Sequence, residues 1–276
     1  MMTALHPVES AVIPAAGRGT RMRPLSAVLP KEMFPVGLRP MLEHTVTEAA
    51  RSGVRRACIV VSPGKASLIR EYFETFSPEL RLEYAVQPEP LGLMDAVRRA
   101  RAFTAGERFA VLLPDNLFIG RPVLAQMLDA PIEAGQHIVG VLRVSEETAA
   151  ALGARGALKL SPIEGDARSF RVESIGPEKT PIRVGPDGRA AISLGRYVFA
   201  PDIFDAVDEA AGRLEGGELD DVPIMHRLAG EGRVLGRLVD AEYYDVGNPL
   251  GYWRANRRVG PDWEPEVSNR RRQPES

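Results

Sequence analysis

The chain has 276 residues, and its 35 lysines and arginines nearly balance its 37 aspartates and glutamates, for a formal net charge of −2. This balance argues against a nucleic-acid-binding protein, and the single cysteine, Cys58, excludes an internal disulfide and a zinc site built from several cysteines. No apolar run approaches the roughly 20 residues that cross a bilayer, and MMTALHPVES lacks the pattern of a signal peptide, so we expect a soluble cytoplasmic protein without a membrane partner.

The first half of the chain alternates short apolar runs with stretches of helical periodicity. Val12 and Ile13 lie in a predicted strand that leads directly into the glycine- and arginine-rich sequence AAGRGTRMRP. Further strands are predicted at 57–61, 82–86, 109–115 and 137–142, and helices at 40–52 (with Leu42, Val46 and Ala49 on one face), 65–73, 92–103 and 121–130. This alternation favours right-handed crossovers and a mostly parallel, doubly wound sheet.

The alternation stops after residue 150. Strands are predicted at 156–160, 170–175 and 190–199 without intervening helices, and helices return at 201–211, 219–230 and 249–258. The second half should therefore add antiparallel or mixed strands beside the parallel ones. We expect two lobes over one continuous sheet, at 1–150 and 151–260, followed by a charged, proline-rich and flexible tail at 261–276.

A glycine-rich loop, Gly17 to Arg21, follows the first predicted strand and offers closely spaced backbone N–H groups suited to a phosphate. A Walker loop would end in Gly-Lys-Ser/Thr, which this loop does not contain. A dinucleotide-binding loop would need a small residue where Met22 stands and a carboxylate after the second strand, where the chain has Val61 and Ser62. Both of these loop types are excluded.

The loop instead carries its own cations. Arg18, Arg21 and Arg23 lie within six residues, and Lys31 follows in LPKEMFP. Arginine presents a fixed fork of donors suited to phosphate oxygens, and lysine adds a compact charge. The alternative is an ordinary glycine turn with solvated arginines.

The sequence AVIPAAGRGTRMRP, followed by LPKEMFPV, resembles the signature loop of the sugar-1-phosphate nucleotidyltransferases. PKEMFP is most similar to the loop of the bacterial UTP–glucose-1-phosphate uridylyltransferases. Further segments match this family in order: QPEPLGL at 87–93, LPD at 113–115, Glu178-Lys179, GRYV at 195–198, and DVGN at 245–248 followed by LGY at 250–252.

The resemblance implies a fold and a reaction. The fold would be a Rossmann-like, doubly wound mixed α/β sheet of the nucleotidyltransferase (glycosyltransferase-A-like) type, with a C-terminal sugar-binding lobe. The reaction would join UTP and glucose 1-phosphate, giving UDP-glucose and pyrophosphate, in a homo-oligomer (a dimer or a tetramer). Since the attacking phosphate oxygen is already anionic, the chemistry needs positioning and charge neutralisation rather than a nucleophilic serine or a general base.

The resemblance also implies roles for individual residues. Arg21, Lys31 and Lys179 would be catalytic, and Asp115 and Asp245 would bind Mg²⁺, a hard ion that takes carboxylate and phosphate oxygens. The nucleotide would be bound by Ala15, Ala16, Gly17, Gly19, Thr20, Gln87 and Gly92, and the sugar phosphate by Asn116, Gly156, Glu178 and Lys179. Taken singly, Asp115 also suits a turn and Asp245 a helix N-cap, because aspartate is favoured at both.

The sequence departs from the uridylyltransferase pattern at several positions. Ala27 stands where these enzymes usually carry lysine, Thr180 replaces a proline after Glu178-Lys179, and Arg155 replaces a tyrosine, so Glu173 is a second candidate for the sugar-binding carboxylate. The segment between Phe73 and Gln87 is short, as in the thymidylyltransferases. The alternatives are therefore a thymidylyltransferase, an enzyme for another sugar 1-phosphate, and a non-catalytic sugar-nucleotide-binding homologue.

Overall fold

The structure, a computed structural model, describes residues 8–130, 132–151, 157–176, 184–185 and 187–260. The tail predicted at 261–276 lies outside these ranges. Within them, no helix combines the length and the apolar character that a membrane-spanning segment requires.

The strands and helices alternate along the first half of the chain. The strands are β1 (Ser10–Pro14), β2 (Pro35–Val36), β3 (Arg39–Pro40), β4 (Arg56–Val61), β5 (Arg81–Val86), β6 (Phe109–Leu112), β7 (Asn116–Ile119), β8 (His137–Ser145), β9 (Leu158–Ile163), β10 (Asp166–Ile175), β11 (Arg189–Phe199), β12 (Val234–Leu238) and β13 (Glu242–Asp245). The helices are α1 (Met41–Arg51), α2 (Ala66–Thr75), α3 (Leu93–Arg99), α4 (Arg101–Thr104), α5 (Val123–Leu128), α6 (Glu146–Ala151), α7 (Ile203–Arg213), α8 (Asp221–Gly230) and α9 (Pro249–Val259).

Nine of these strands form one mixed sheet in the order β5-β4-β1-β6-β11-β8-β12-β10-β9. The strands β5, β4, β1 and β6 are mutually parallel, whereas β11 runs antiparallel to its neighbours β6 and β8. At the other end, β12 is parallel to β8, and β10 is antiparallel to both β12 and β9. The predicted mixed α/β sheet is confirmed, with the strands of the second half joined to those of the first.

Successive residues of β1 pack into two hydrophobic cores, one on each face of the sheet. Val12 packs with side chains of α3, α7 and α8, and Ile13 packs with side chains of α1, α2 and α5. The predicted apolar face of α1 is fully buried in the second of these cores. Helices therefore cover both faces of the sheet, as a doubly wound fold requires.

Some elements differ from the sequence-based prediction. The helix predicted at 92–103 divides at Ala100 into α3 and α4. The strand predicted at 109–115 ends at Leu112, since Pro114 has no N–H to donate to a neighbouring strand. The strands β7, β12 and β13 were not predicted because each is short and lacks a long apolar run.

The strands β7 and β13 form a separate antiparallel ribbon that pairs Asn116 with Asp245. The ribbon packs its apolar side on α9 and on the start of α1, through a small cluster that includes Leu117 and Val246. Because the Val246 N–H also donates to the carbonyl oxygen of Asp115 (2.9 Å), the ribbon holds two distant parts of the chain side by side.

Arg196 ties this ribbon to the main sheet. Its guanidinium is fully buried and donates to both carboxylate oxygens of Glu48, at 2.7 and 3.2 Å. It also donates to the carbonyl oxygens of Leu113 (2.7 Å) and Asn116 (3.0 Å), which bracket the turn between β6 and β7. Arg196 on β11 and Glu48 on α1 thus fix the turn that carries Asp115.

Replacing Arg196 with methionine should lower the free energy of unfolding by about 3–5 kcal/mol, because Glu48 would be left as an uncompensated, largely buried charge. The measurement is guanidinium chloride unfolding followed by circular dichroism. The matched control is Arg213→Met, which removes an arginine that is 74% exposed and pairs with Glu209 on the same helix. That change should cost less than about 1 kcal/mol, and equal losses in the two variants would contradict the anchoring role.

Candidate active site

A cleft of about 890 Å³ opens at the carboxyl ends of the parallel strands β1, β5 and β6. Its walls include the glycine-rich loop after β1, Gln87 after β5 and the turn after β6. The carboxyl ends of parallel strands are the usual place for a ligand in an open α/β sheet. We refer to this cavity as the cleft.

The glycine-rich loop forms one wall of the cleft. Ala16, Gly17, Gly19, Thr20 and Arg21 all line it. Gly19 has a φ of 64°, a left-handed conformation that favours glycine, and its carbonyl oxygen accepts a hydrogen bond from the Ser26 hydroxyl at 2.7 Å.

Ala15, which was also predicted to bind the nucleotide, is not among the described residues that line the cleft. It is fully buried in the core, and its N–H donates to the carbonyl oxygen of Val60 at 2.7 Å. The strand pairing of β1 thus continues one residue further than the loop motif indicates, and it occupies the Ala15 N–H. The nucleotide contact predicted for Ala15 stays a prediction.

Lys65 holds the glycine-rich loop through its backbone carbonyl groups, and it was not predicted from the sequence. Its ammonium donates to the carbonyl oxygens of Gly17 (2.5 Å) and Ala15 (3.3 Å) and to the Glu32 carboxylate (2.9 Å). Glu32 is almost fully buried and belongs to the PKEMFP segment. The pair Gly64-Lys65, separated by two residues from the end of β4, is the signal that could have revealed it.

Four charged side chains meet beside the loop. The Lys31 ammonium donates to Asp115 at 2.6 Å, and the Arg21 guanidinium lies 3.9 Å from Asp115 and 3.6 Å from Asp245. All four line the cleft, although they come from three distant segments of the sequence. We call Arg21, Lys31, Asp115 and Asp245 the charged cluster.

The pKa shifts in the charged cluster keep its central pair ionised. Burial alone would raise the pKa of Asp115, but the charges of Lys31 and Arg21 outweigh it, and the Asp115 pKa lies below its usual range. Burial alone would lower the pKa of Lys31, but Asp115 and Glu32 outweigh it, and the Lys31 pKa lies above its usual range. Both groups are therefore charged at neutral pH.

The two aspartates face one small space. Gly247 lies between them, and a Cβ there would stand 2.9 Å from Asp115 Oδ2 and 3.1 Å from Asp245 Oδ1. They converge across the β7–β13 ribbon, which pairs Asn116 with Asp245. The helix-cap alternative for Asp245 does not hold, because Asn248 caps α9 by accepting from the Gly251 N–H at 2.8 Å.

The chemistry of this pair suits a hard divalent cation. Carboxylate oxygens are the ligands that Mg²⁺ prefers, and it usually takes one or two of them together with substrate phosphates. Within the described ranges, no group of three or more His, Cys, Asp or Glu side chains is placed to hold a metal ion. Two carboxylates therefore fit a metal that the substrate helps to bind.

Asn116 and Tyr243 lie next to the charged cluster on the ribbon. The Tyr243 hydroxyl donates to Asn116 Oδ1 at 2.8 Å, and both residues line the cleft. Gly195, with a φ of 63°, leaves room for the Asn116 side chain, since a Cβ at position 195 would lie 2.5 Å from Asn116 Nδ2. Asn116, predicted to bind the sugar phosphate, is thus placed in the cleft with its side chain held.

The predicted base-reading residues Gln87 and Gly92 both line the cleft. Gln87 is 3% exposed, and its Nε2 donates to the Gly92 carbonyl oxygen at 3.0 Å. Gly92 has a φ of 102°, and a Cβ there would lie 2.6 Å from the backbone nitrogen of Leu219. The missing side chain of Gly92 thus makes room for the Leu219 backbone, a reason that the sequence analysis did not give.

The predicted sugar-phosphate residues Gly156, Glu178 and Lys179 lie outside the described residues. The second candidate for the sugar-binding carboxylate, Glu173, is not among the described residues that line the cleft. It accepts hydrogen bonds from Ser161 and is ion-paired with Lys159, both on β9. In this structure Glu173 is thus paired with β9, and its role in sugar binding stays a prediction.

Comparisons with known proteins show the family to which the chain belongs. The model of the nucleotidyl transferase family matches residues 10–260. A UTP–glucose-1-phosphate uridylyltransferase of Bacillus subtilis (strain 168) is 33% identical over 269 residues, which cover 89% of this chain and 88% of that protein.

Two solved structures share the fold. One is a UDP-glucose pyrophosphorylase complexed with UDP-glucose, with a TM-score of 0.76, 24% identity, and coverage of 91% of this chain and 98% of that one. The other is a UTP-bound UGPase from Acinetobacter baumannii, with a TM-score of 0.75, 24% identity, and coverage of 94% and 95%. The family resemblance stated from the motifs is confirmed, and this family generally uses a divalent metal.

Gly92→Ala should destabilise the protein by about 1–3 kcal/mol, because the new methyl group would overlap the Leu219 backbone and the positive φ would be strained. Thermal or denaturant unfolding measures the loss. Gly212→Ala is the control, since this glycine lies inside α7 with open space around its Cβ position. It should be neutral or slightly stabilising, and an equal loss at both positions would refute the packing account of Gly92.

Proposed function

Because the chain belongs to the nucleotidyl transferase family, we propose that it is a UTP–glucose-1-phosphate uridylyltransferase. A phosphate oxygen of glucose 1-phosphate attacks the α-phosphorus of UTP, which forms UDP-glucose and releases pyrophosphate. The observation that carries the proposal is the charged cluster, set beside a glycine-rich loop in one cleft. The names of the uridylyltransferase relative and of the UTP-bound structure support the same substrates.

The loop and the two cations would handle the triphosphate. The backbone N–H groups of Gly17, Gly19 and Thr20, with Ala16 beside them, would hold its oxygens, and Arg21 would neutralise them. Lys31, whose pKa lies above its usual range, keeps its charge to stabilise the departing pyrophosphate. Since the nucleophile is already anionic, no side chain needs to act as a general base.

Asp115 and Asp245 would hold Mg²⁺. When bound, the ion would supply positive charge to the phosphate oxygens at the reacting centre. Arg21 and Lys31 are paired with these carboxylates in the structure, so the same two cations are already directed at the place where phosphates would enter.

The sugar phosphate would enter from the ribbon side of the cleft. Asn116 is held there by Tyr243, and we assign Lys179 to the sugar phosphate and Glu178 and Gly156 to the sugar. Two polyanions can be brought together only if each has its own countercharge, and the cations of the glycine-rich loop serve the nucleotide. We also propose that the enzyme works in the cytoplasm as a dimer or tetramer, without a nucleic-acid partner.

A thymidylyltransferase is the second candidate. The connection between α2 and β5 comprises only residues 76–80, without a helix. The uridylyltransferases that the sequence resembles typically carry a helical insertion there, and the thymidylyltransferases do not. This observation concerns the choice between UTP and dTTP and leaves the reaction class unchanged.

The test of the proposed function is pyrophosphate release from UTP, dTTP, ATP and GTP, each with glucose 1-phosphate and with other hexose 1-phosphates. UTP with glucose 1-phosphate should give the fastest turnover, chelation by EDTA should abolish it, and added Mg²⁺ should restore it. Faster turnover with dTTP would select the second candidate. No pyrophosphate release from any pair would leave only a sugar-nucleotide-binding role and refute the proposal.

Arg21→Ala and Lys31→Ala should each lower kcat by about 10²–10³-fold, the usual cost of deleting one preorganised donor at the transition state. The steady-state rate of pyrophosphate release measures this, with circular dichroism to confirm folding. Arg23→Ala is the matched control, because Arg23 is an exposed cation of the same loop that is not among the described residues lining the cleft. If the three variants behave alike, general loop charge rather than positioned cations explains the rate.

A further inference from the structure

The amide of Gln87 is held by two acceptors. Its Nε2 donates to the carbonyl oxygen of Gly92 at 3.0 Å and to Asp95 Oδ2 at 2.8 Å. A carbonyl oxygen and a carboxylate can only accept hydrogen bonds, so the NH₂ group of the amide must face them. Both amide hydrogens of Gln87 are therefore used inside the protein.

The carboxylate of Asp95 is itself fixed. It is 4% exposed, it lies in the first turn of α3, and it accepts hydrogen bonds from the Arg99 guanidinium at 3.1 and 3.4 Å. The Arg99 guanidinium thus holds the Asp95 carboxylate in an ion pair at this buried position. Asp95 thus acts on Gln87 as a charged acceptor in a set position.

The remaining polar atom of Gln87 is its carbonyl oxygen, Oε1. Within the described ranges, Oε1 accepts no hydrogen bond, and Gln87 lines the cleft. An acceptor on the wall of the cleft without a protein partner can accept a hydrogen bond from a ligand there. The pocket therefore offers a base one acceptor from Gln87, and no donor.

We propose that Asp95 is a positioning residue that fixes Gln87 with Oε1 toward the nucleotide, and that this orientation selects uracil over cytosine. The inference rests on the proposed function, and it concerns which pyrimidine the pocket takes. The imide edge of uracil or thymine carries a single donor, N3–H, which complements Oε1. At the same ring position cytosine has an unprotonated nitrogen whose lone pair would face Oε1.

Cytosine has a donor at its 4-amino group, but using it would require the base to slide along the pocket. The reaction does not allow this, because the α-phosphate of the same nucleotide must lie at the reacting centre beside the charged cluster. With the phosphate end held, the base edge is read at one ring position. The orientation of one amide thus becomes the basis for discrimination.

The test is Asp95→Asn. This change keeps the size of the side chain but replaces a carboxylate, which can only accept hydrogen bonds, with an amide, which can also donate them. With an amide at position 95, one of the two groups that fix the Gln87 amide can also donate. Turning the Gln87 amide then loses only the hydrogen bond to the Gly92 carbonyl oxygen, and an orientation that presents Nε2, a donor that matches cytosine, becomes accessible. We expect the ratio of kcat/KM for UTP to that for CTP to fall by about 10–100-fold, the worth of one matched hydrogen bond. Asp95→Ser, which removes the carboxylate and leaves more space, should move the ratio in the same direction if Asp95→Asn does not fold.

The matched control is Asp208→Asn. Asp208 is an ion-paired carboxylate that contacts the neighbouring part of α3 through Arg98, at 2.8 Å, without touching Gln87. The Asp208→Asn variant should leave the ratio of kcat/KM for UTP to that for CTP unchanged, even if its free energy of unfolding falls slightly. If folded Asp95→Asn also keeps the wild-type ratio within about twofold, the positioning role of Asp95 is overturned.

Binding of UTP and CTP measured by isothermal titration calorimetry, without sugar phosphate, separates this inference from the proposed function. If the wild type binds UTP in preference to CTP, and Asp95→Asn reduces that preference, the inference holds even where no turnover occurs and the proposed function fails. If wild-type turnover of UTP occurs with no preference over CTP, the proposed function stands and the inference is refuted.

Discussion

The turn between β6 and β7 is held by one buried arginine, and the geometry of the site depends on it. Arg196 reaches from β11 of the main sheet to Glu48 on α1, and its remaining donors are taken by backbone carbonyls on either side of Asp115. A buried guanidinium is tolerated only when its charge and its N–H groups are satisfied. The hydrogen bonds that satisfy Arg196 also fix the backbone on either side of Asp115.

The charged cluster also depends on close packing and on compensation of charge. Asp115 and Asp245 approach closely because Gly247 contributes no side chain between them, and Arg21 and Lys31 offset the repulsion of two carboxylates. Without those cations, desolvation would raise the pKa of Asp115 and favour its neutral form. The cluster therefore keeps Asp115 and Lys31 ionised side by side, where carboxylates could hold a metal ion and cations could bind phosphate oxygens.

The sequence was informative where the structure is local or strongly periodic. Continuous apolar runs predicted β1, β4 and β6, because parallel strands covered on both faces must be apolar throughout. The order of the motifs also identified the cleft residues Arg21, Lys31, Asp115 and Asp245. The β7–β13 ribbon escaped prediction because its pairing joins positions far apart in the chain. Lys65 was missed because two of its three partners are backbone carbonyl oxygens, which no side-chain motif records.

The base pocket shows what a motif leaves open. QPEPLGL supplies an amide near a nucleobase, but an amide has a donor end and an acceptor end of nearly equal shape. Which end faces the ligand is decided by Asp95, eight positions along the chain on the next helix, and by the carbonyl oxygen of Gly92. Gly92 fits at this position because it has no side chain where the Leu219 backbone packs. The chemical identity of Gln87 is thus local, whereas its hydrogen-bonding polarity is a property of the folded chain.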